Sequence, residues 1–251
     1  MSLAYVDVSS QEIVIAAALS GDDLLMEAYN SGDPYISFAI QAGLAPEGAT
    51  KESHPEIRNQ CKQVVLGTNY GMSAYGVAQA AGIHISTAQS LLQRHRETYR
   101  VFWNWAEKNM EAGLLGVPLQ TCFGWEIRAG IGTEPKANTF LNWPMQAHGA
   151  EMMRIAAILA TEDGLAICAP IHDAFLLEAP TELIEEHVRR LIRHMEQASG
   201  YVLGAGHKCR SDSKIVSYPD RYMEDEGLDM WERVMSALAP LEPTYSKSEQ
   251  G

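Results

Sequence analysis

The chain has 251 residues, which is enough for one large domain or two modest domains with a real core. Its 46% hydrophobic content is ordinary for a globular protein, and no apolar run approaches the roughly 18 residues that a membrane span needs. The formal net charge of -13 argues against indiscriminate binding of nucleic acid, because phosphate contacts need local positive charge.

The start of the chain, Met1 to Tyr5, lacks both the charged and the apolar region of a signal peptide. We therefore expect a cytoplasmic protein that makes no membrane contact. The cysteines lie far apart and form no C-x-x-C pair, which predicts reduced thiols rather than a zinc site or a disulfide framework. They are Cys61, Cys122, Cys168 and Cys209.

The first predicted element, within residues 4–19, is a short apolar strand that turns at Ser9 and Ser10 into a helix. Asp7 lies at the end of this strand, where a carboxylate is well placed for catalysis or metal binding. A lone Asp before a helix is more often an N-cap, so both interpretations stay open. Glu12 lies about one helical turn further on.

Two short helices are predicted next, one over residues 24–30 and one that ends near Ala42 after a break at residues 31–34. The Gly-, Pro- and Thr-containing segment 43–54 indicates a surface connection. Another helix is predicted to begin at Pro55, since proline is favoured in the first turn.

This last helix carries Arg58, Lys62, Leu66 and Tyr70 at intervals of four residues, so the four side chains share one face. A triphosphate could lie against the two cations while a base stacks on the ring. A helix whose Arg and Lys merely point to water is the alternative.

A short helix of small residues is predicted to end at Gly82. Ser86 and Gln89 form a capping-box pattern, which predicts the start of a longer helical region that passes Arg100 and continues after a bend. The aromatic residues of this region are predicted to pack in the core. They are Tyr99, Phe102, Trp103 and Trp105.

Residues 117–128 predict a hairpin that turns at Phe123 and Gly124, followed by a loop over 129–136. A long helix is then predicted from about residue 136 or 147 to Ala160. We expect Pro144 to prevent a regular helix just before it.

Asn142 and Gln146 can each donate and accept hydrogen bonds, which suits the minor groove of DNA, although such residues near a proline are usually caps. Residues 165–180 predict two apolar strands joined by a tight turn at His172 and Asp173. Asp173 is expected to be exposed or neutralised by a cation, with Arg or Lys as the ordinary partner.

Residues 181–199 predict an amphipathic helix with an apolar side. That side comprises Leu183, Ile184, Val188, Leu191, Ile192 and Met195. Residues 202–210 are predicted as strand-like, an acidic helix is predicted near Trp231, and residues 239–251 are predicted to be a disordered tail.

Three of these patterns, taken together and in this order, resemble the polymerase core of the family A DNA polymerases. They are Asp7-x-x-x-x-Glu12, then Arg58-x-x-x-Lys62-x-x-x-Leu66-x-x-x-Tyr70-Gly71, then His172-Asp173. The resemblance covers residues 4–200. It implies an α+β fold in which a palm, a small antiparallel sheet with helices, carries inserted helical fingers. Residues 1–42 and 137–238 would form the palm and residues 43–136 the fingers.

The resemblance implies template-directed DNA synthesis, in which a dNTP donates a nucleotide to a primer 3′-hydroxyl by a two-metal mechanism. Asp7, Asp173 and the main-chain carbonyl of Val8 would hold two Mg²⁺ ions, which prefer hard oxygen ligands. Arg58 and Lys62 would bind the triphosphate, and Lys62 would protonate the leaving group.

The resemblance also assigns the remaining contacts with dNTP and primer-template DNA. Glu12 would exclude a 2′-hydroxyl, and Tyr70 would stack at the templating position. The dNTP-binding residues would be Arg58, Lys62, Leu66, Tyr70, Glu12 and Gln11. The DNA-binding residues would be Asn142, Gln146, His172, Tyr70 and Gly71.

The chain departs from the family pattern at several positions. Leu66 stands where the family usually has Phe or Tyr, which predicts discrimination against dideoxynucleotides. Ala174 replaces a common third acidic residue, an apolar residue replaces the arginine that usually follows Glu12, and W-E-I-R replaces an Arg-rich turn. Because the first acidic motif lies near Met1, we expect the C-terminal portion of a longer polymerase, without its thumb and exonuclease-like domain.

Two other functions remain open from the sequence. One is a non-catalytic DNA-binding or assembly fragment that needs a partner chain to supply the thumb. The other is a metal-dependent nuclease that uses the same two aspartates, although a nuclease would not need the cationic helix.

Overall fold

The computed structural model of the chain describes residues 1–130, 136–223 and 227–238. Its main sheet has four antiparallel strands, which are β1 (Ser2–Val8), β4 (Ala166–Ile171), β5 (Ala174–Ala179) and β6 (Ser211–Ser217). Their order in the sheet is β4-β5-β1-β6, so β1 is an inner strand with a partner on each side. A small separate hairpin pairs β2 (Leu119–Gln120) with β3 (Glu126–Ile127).

Helices account for most of the remaining described chain. They are α1 (Gln11–Ser20), α2 (Asp23–Asn30), α3 (Pro34–Gln41), α4 (Pro55–Asn69), α5 (Ala74–Ala81), α6 (Ile85–Thr98), α7 (Arg100–Leu114), α8 (Ala137–Glu162), α9 (Ile184–Leu203) and α10 (Leu228–Leu238). Local sequence sets several of their limits. Asp22 and Asp33 cap α2 and α3 through their carboxylates, and Gly82 ends α5 in a left-handed conformation. The predicted α+β fold with a small antiparallel sheet is confirmed.

The two faces of β1 differ in their environment. Ser2, Ala4, Val6 and Val8 are buried, whereas the alternating residues between them are only half-buried. Helix α9 packs against β1, β5 and β6, and α8 packs against α9, so helices cover the buried face. Asp7 therefore projects from the opposite, more open face of the sheet.

Helix α8 corrects one expectation. It begins at Ala137 and runs without a break through Pro144, which was predicted to prevent a regular helix. Proline removes one backbone donor from the helix, but Leu141, Pro144 and Met145 are all buried. Packing of this buried face stabilises the helix more than the missing hydrogen bond destabilises it.

The strand predicted over 202–210 is also wrong. Helix α9 continues to Leu203, residues 204–210 form turns and irregular chain, and the strand is β6. β6 has a polar sequence, S-D-S-K-I-V-S, because it is an edge strand with most residues exposed. Apolar alternation, the usual signal of a strand, is weak in such a segment.

Two smaller predictions are wrong at helix starts. Helix α6 is capped by the side chain of His84, so Ser86 lies inside the helix and the capping box with Gln89 is not formed. Leu183, predicted on the apolar side of α9, precedes the helix and is 40% exposed. The other five residues of that side are buried or partly buried.

The expectations for the cysteines and for the aromatic residues are confirmed. All four cysteines are free, and Tyr99, Phe102, Trp103 and Trp105 are buried in or packed against the core. No helix in the described ranges combines the length and apolar character needed to cross a bilayer. Most of the loop predicted over 129–136 and the whole tail predicted over 239–251 lie outside the described residues.

Candidate active site

Two acidic residues that are far apart in the sequence lie together at one end of the sheet. In the pairing of β1 with β5, Asp7 lies opposite Ala174, the residue that follows Asp173. The backbone N–H of Val8 donates to the carbonyl oxygen of Asp173 at 3.0 Å. Partial burial, and after it the charge of Asp173, raises the pKa of Asp7.

A third carboxylate lies beside them. In the pairing of β1 with β6, Asp212 lies directly opposite Asp7, so their side chains share one face of the sheet. Its charge also contributes to the raised pKa of Asp7. Asp212 accepts a hydrogen bond of 2.7 Å from the hydroxyl group of Ser9, which fixes it to the turn after β1.

This acidic cluster fits a divalent cation by the chemistry of its donors. No Arg or Lys among the described residues forms an ion pair with Asp7, Asp173 or Asp212, and Nδ1 of His172 lies 3.2 Å from Oδ1 of Asp173. The described residues contain no group of three His, Cys, Asp or Glu side chains already arranged around a metal position. Mg²⁺ requires fewer protein ligands, because it binds through one or two carboxylates and keeps water or phosphate oxygens.

The cationic face of α4 lies beside α3. Arg58 is mostly buried, pairs through Nε with Oδ2 of Asp33, and lies over the ring of Tyr35. Lys62 is exposed and forms no ion pair with any described residue. Leu66 is half-buried one turn further on. Of the two cations on this face, Arg58 is held in place by Asp33 and Tyr35, and Lys62 has no ion-pair partner among the described residues.

Tyr70 connects the end of α4 to α1 and α8. Its hydroxyl donates to Oε1 of Glu12 at 2.6 Å, and Gln146 Nε2 lies 3.4 Å from both Glu12 Oε1 and the Tyr70 oxygen. Burial, then the carboxylate of Glu12 and, to a smaller extent, the charge of Asp173 raise the pKa of Tyr70 to about 12. The ring is therefore a neutral donor that stands near the acidic cluster.

Gly71 ends this helix with a φ of +64°, a conformation that favours glycine. Its carbonyl accepts a hydrogen bond from Asn138, whose side chain occupies the space that a Cβ would need. An open cavity of about 360 Å³ lies next to this contact. Its lining consists of Tyr70, Asn138, Thr139, Asn142, Trp143 and Gln146.

The remaining predicted residues occupy distinct environments. Gln11 is buried, and its side chain packs against Gly149 of α8. The Oδ1 atom of Asn142 is buried without a hydrogen-bond partner among the described residues. His172 is exposed and adopts a positive φ of 56° in the turn between β4 and β5.

Comparison with known proteins adds to this geometry. Residues 1–210 match the model of DNA polymerase family A, which is most of the chain. The chain belongs to DNA polymerase family A. Asp212 lies just beyond the part that matches the family A model.

Curated relatives agree with this membership. The chain is 29% identical over 206 residues to "DNA polymerase I, thermostable" from Thermus aquaticus, an alignment that covers 77% of this chain and 24% of that protein. It is 28% identical over 216 residues to DNA polymerase I from Aquifex aeolicus, covering 78% of this chain and 36% of the relative. The chain thus spans about a quarter to a third of the length of these two polymerases.

A solved polymerase structure has the same fold. The POL domain of Pol1 from M. smegmatis, in complex with DNA primer-template and dNTP, aligns with a TM-score of 0.72. The alignment covers 86% of this chain and 39% of that chain, at 24% identity. At this identity the likeness shows a shared fold.

The sequence alone did not indicate a role for three polar residues near the site, which are Asp33, Asn138 and Asp212. Asp33 carries a usable signal, because Asp followed by Pro is typical of a helix start, but its ion pair with Arg58 depends on tertiary packing. Asn138 lies four residues before Asn142, outside the residues that the family resemblance assigned to the site. Asp212 gave no signal, since its strand was placed too early in the chain.

Proposed function

We propose that the chain is the catalytic part of a template-directed DNA polymerase, which transfers a nucleotide from a dNTP to a primer 3′-hydroxyl. The observation that carries this proposal is the convergence of Asp7 and Asp173 beside the end of α4 in a family A chain. The M. smegmatis homologue binds primer-template DNA and dNTP, which supports the same partners here.

The acidic cluster is the proposed metal site. Asp7, Asp173 and the carbonyl of Val8 would hold two Mg²⁺ ions, which activate the primer hydroxyl and neutralise the triphosphate when bound. Burial, and after it the charges of Asp173 and Asp212, raise the pKa of Asp7, and a bound cation would relieve the repulsion among these carboxylates. These carboxylates act as ligands and do not transfer protons.

The stripe on α4 is the proposed triphosphate site. Arg58 would donate hydrogen bonds to phosphate oxygens, and the exposed Lys62 would do the same and deliver a proton to the departing pyrophosphate. Leu66 would pack on the sugar. Glu12 would block a 2′-hydroxyl, with Gln11 supporting it from the first turn of α1.

The residues around Tyr70 form the proposed DNA contact. Tyr70 would stack at the templating position while Gly71 lets the helix end there. Asn142 and Gln146 would bind acceptors of the minor groove, and the exposed His172 would contact the primer end. The cavity next to Tyr70 supports this assignment, because polar amides and two aromatic rings line it.

The proposed division of labour follows the family. Residues 1–42 and 137–238 would be the palm, and residues 43–136 the fingers. A further polypeptide segment carrying a thumb and an exonuclease-like domain would complete the enzyme. The net charge of -13 supports this, since DNA affinity would then depend on a basic surface supplied elsewhere.

Primer extension with Mg²⁺ tests the proposal. We expect the wild-type chain to add the nucleotide that the template specifies, and Asp173→Asn to lower the rate by more than about a hundredfold. Asp220→Asn, which removes the same charge from an exposed turn, is the matched control and should keep activity.

Other outcomes point to other functions. DNA binding without incorporation would favour the non-catalytic fragment. Loss of labelled DNA without added nucleotide would favour a nuclease.

A further inference from the structure

Asp33 uses its two carboxylate oxygens for two separate tasks. Oδ1 accepts the backbone N–H groups of Tyr35 and Ile36 at 3.2 Å each, which caps the start of α3. Oδ2 accepts from Nε of Arg58 on the neighbouring helix α4. The cap fixes the carboxylate on the backbone of α3, so Oδ2 is held at a defined position facing Arg58.

Arg58 contacts Asp33 through Nε, at the side of the guanidinium group. A guanidinium has five N–H donors, of which Nε carries only one. The two terminal nitrogens of Arg58 form no hydrogen bond with any described residue. Their four N–H donors therefore remain available for a ligand, whereas a two-pronged contact with a carboxylate would occupy at least one of them.

The pair is shielded from water on the protein side. The side chains of Arg58 and Asp33 are only 24% and 21% exposed. The guanidinium lies over the ring of Tyr35, with Cζ of Arg58 5.2 Å from the ring centroid. The hydroxyl group of Tyr35 is near enough to Ser10 and Glu12 for both to affect its pKa, which places Arg58 close to the turn after β1.

We infer that Asp33 is a positioning residue for nucleotide binding, which holds the guanidinium of Arg58 with its terminal nitrogens toward the triphosphate. This inference rests on the proposed function, in which Arg58 binds the triphosphate. A free arginine side chain loses rotamer freedom when it binds a ligand. Asp33 and Tyr35 remove that freedom beforehand, so less affinity is lost on binding.

Asp33→Asn is the sharpest variant because asparagine caps helices as well as aspartate does. Its amide nitrogen cannot accept from Nε of Arg58, so the variant keeps α3 and breaks the pair. We expect the dissociation constants of dATP with Mg²⁺, and of inorganic tripolyphosphate, to rise about tenfold in calorimetry. Deoxyadenosine, which lacks phosphate, should bind the variant and the wild type alike.

Two controls separate positioning from general damage. Asp23→Asn removes an exposed charge from the first turn of α2 and should leave dATP affinity unchanged. In an Arg58→Ala background, Asp33→Asn should cause no further loss, because both changes remove one interaction.

The inference is overturned if Asp33→Asn binds dATP as tightly as the wild type or more tightly. A tenfold loss that persists in the Arg58→Ala background would also overturn it, since Asp33 would then act through the structure of α3. Primer extension by the same wild-type preparation tests the proposed function separately, because these affinities require no synthesis.

Discussion

Leu66 presents only carbon atoms on the face of α4 that carries Arg58 and Lys62. Leucine has no hydroxyl group, so it cannot supply a hydrogen bond in place of the one that a dideoxynucleotide loses with its 3′-hydroxyl. We predict that Leu66→Tyr increases dideoxynucleotide incorporation relative to dNTP about tenfold, the value of one added hydrogen bond. Leu66→Phe adds the ring without the hydroxyl and should change this ratio little in a competition assay. Equal use of dideoxynucleotides and dNTPs by the wild type would contradict the prediction.

Among single residues, the sequence predicted the side chains whose position follows from their spacing along the chain. Asp7 at a strand end and the four-residue stripe of α4 were recognisable because chain order and helical period place them. Asp33 and Asp212 were not, since their contacts join α3 to α4 and β6 to β1. A single sequence does not show which polar side chains meet across elements.

At the scale of elements, the end of α4 depends on Gly71. Any other residue would adopt a positive φ there and would place a Cβ against Asn138. We predict that Gly71→Ala lowers the free energy of unfolding by about 1 to 3 kcal/mol, measured by urea denaturation. Gly116→Ala is the matched control, because Gly116 also has a positive φ, of 82°, but has open space around its Cβ position.

The control should lose only about 1 kcal/mol, the cost of backbone strain alone. Adding Asn138→Ala to Gly71→Ala should recover the part that the clash contributes. An equal loss at Gly71 and Gly116 would show that the contact with Asn138 has no energetic weight.

The elements themselves were largely predictable because their ends carry local signals. Asp22, Gly82 and the Pro55 start mark helices through their own backbone chemistry. The failures occurred where tertiary packing outweighed such signals. Pro144 lies inside α8 because the helix is buried there, and β6 is a strand because β1 offers it a pairing edge.

At the scale of the whole molecule, stability should depend on pH through His95. This residue is buried among aromatic rings, and its Nδ1 accepts a hydrogen bond from Trp103 at 3.1 Å. Burial lowers the pKa of His95 to about 3. The folded protein therefore keeps the ring neutral, while the unfolded chain takes up a proton below about pH 6.5.

Stability contributed by neutral His95 is thus complete at neutral pH and is lost as pH falls from about 6.5 towards 3. We predict that the free energy of unfolding decreases by about 2 kcal/mol between pH 7 and pH 5. His95→Asn can keep the acceptor for Trp103 but does not titrate, so it should flatten this dependence. His84→Asn keeps a helix cap on an exposed residue and should retain the slope. A wild-type slope unchanged by His95→Asn would contradict the assignment.

The proposed activity depends on one arrangement, in which Asp7 and Asp173 hold metal ions while α4 binds the triphosphate. Anomalous diffraction from Mn²⁺ in crystals of the chain with primer-template DNA and a non-hydrolysable dNTP tests it most directly. We predict Mn²⁺ peaks in contact with carboxylate oxygens of both aspartates, with phosphate oxygens of the nucleotide against Arg58 and Lys62. A nucleotide bound elsewhere, or Mn²⁺ peaks that avoid both aspartates, would contradict it.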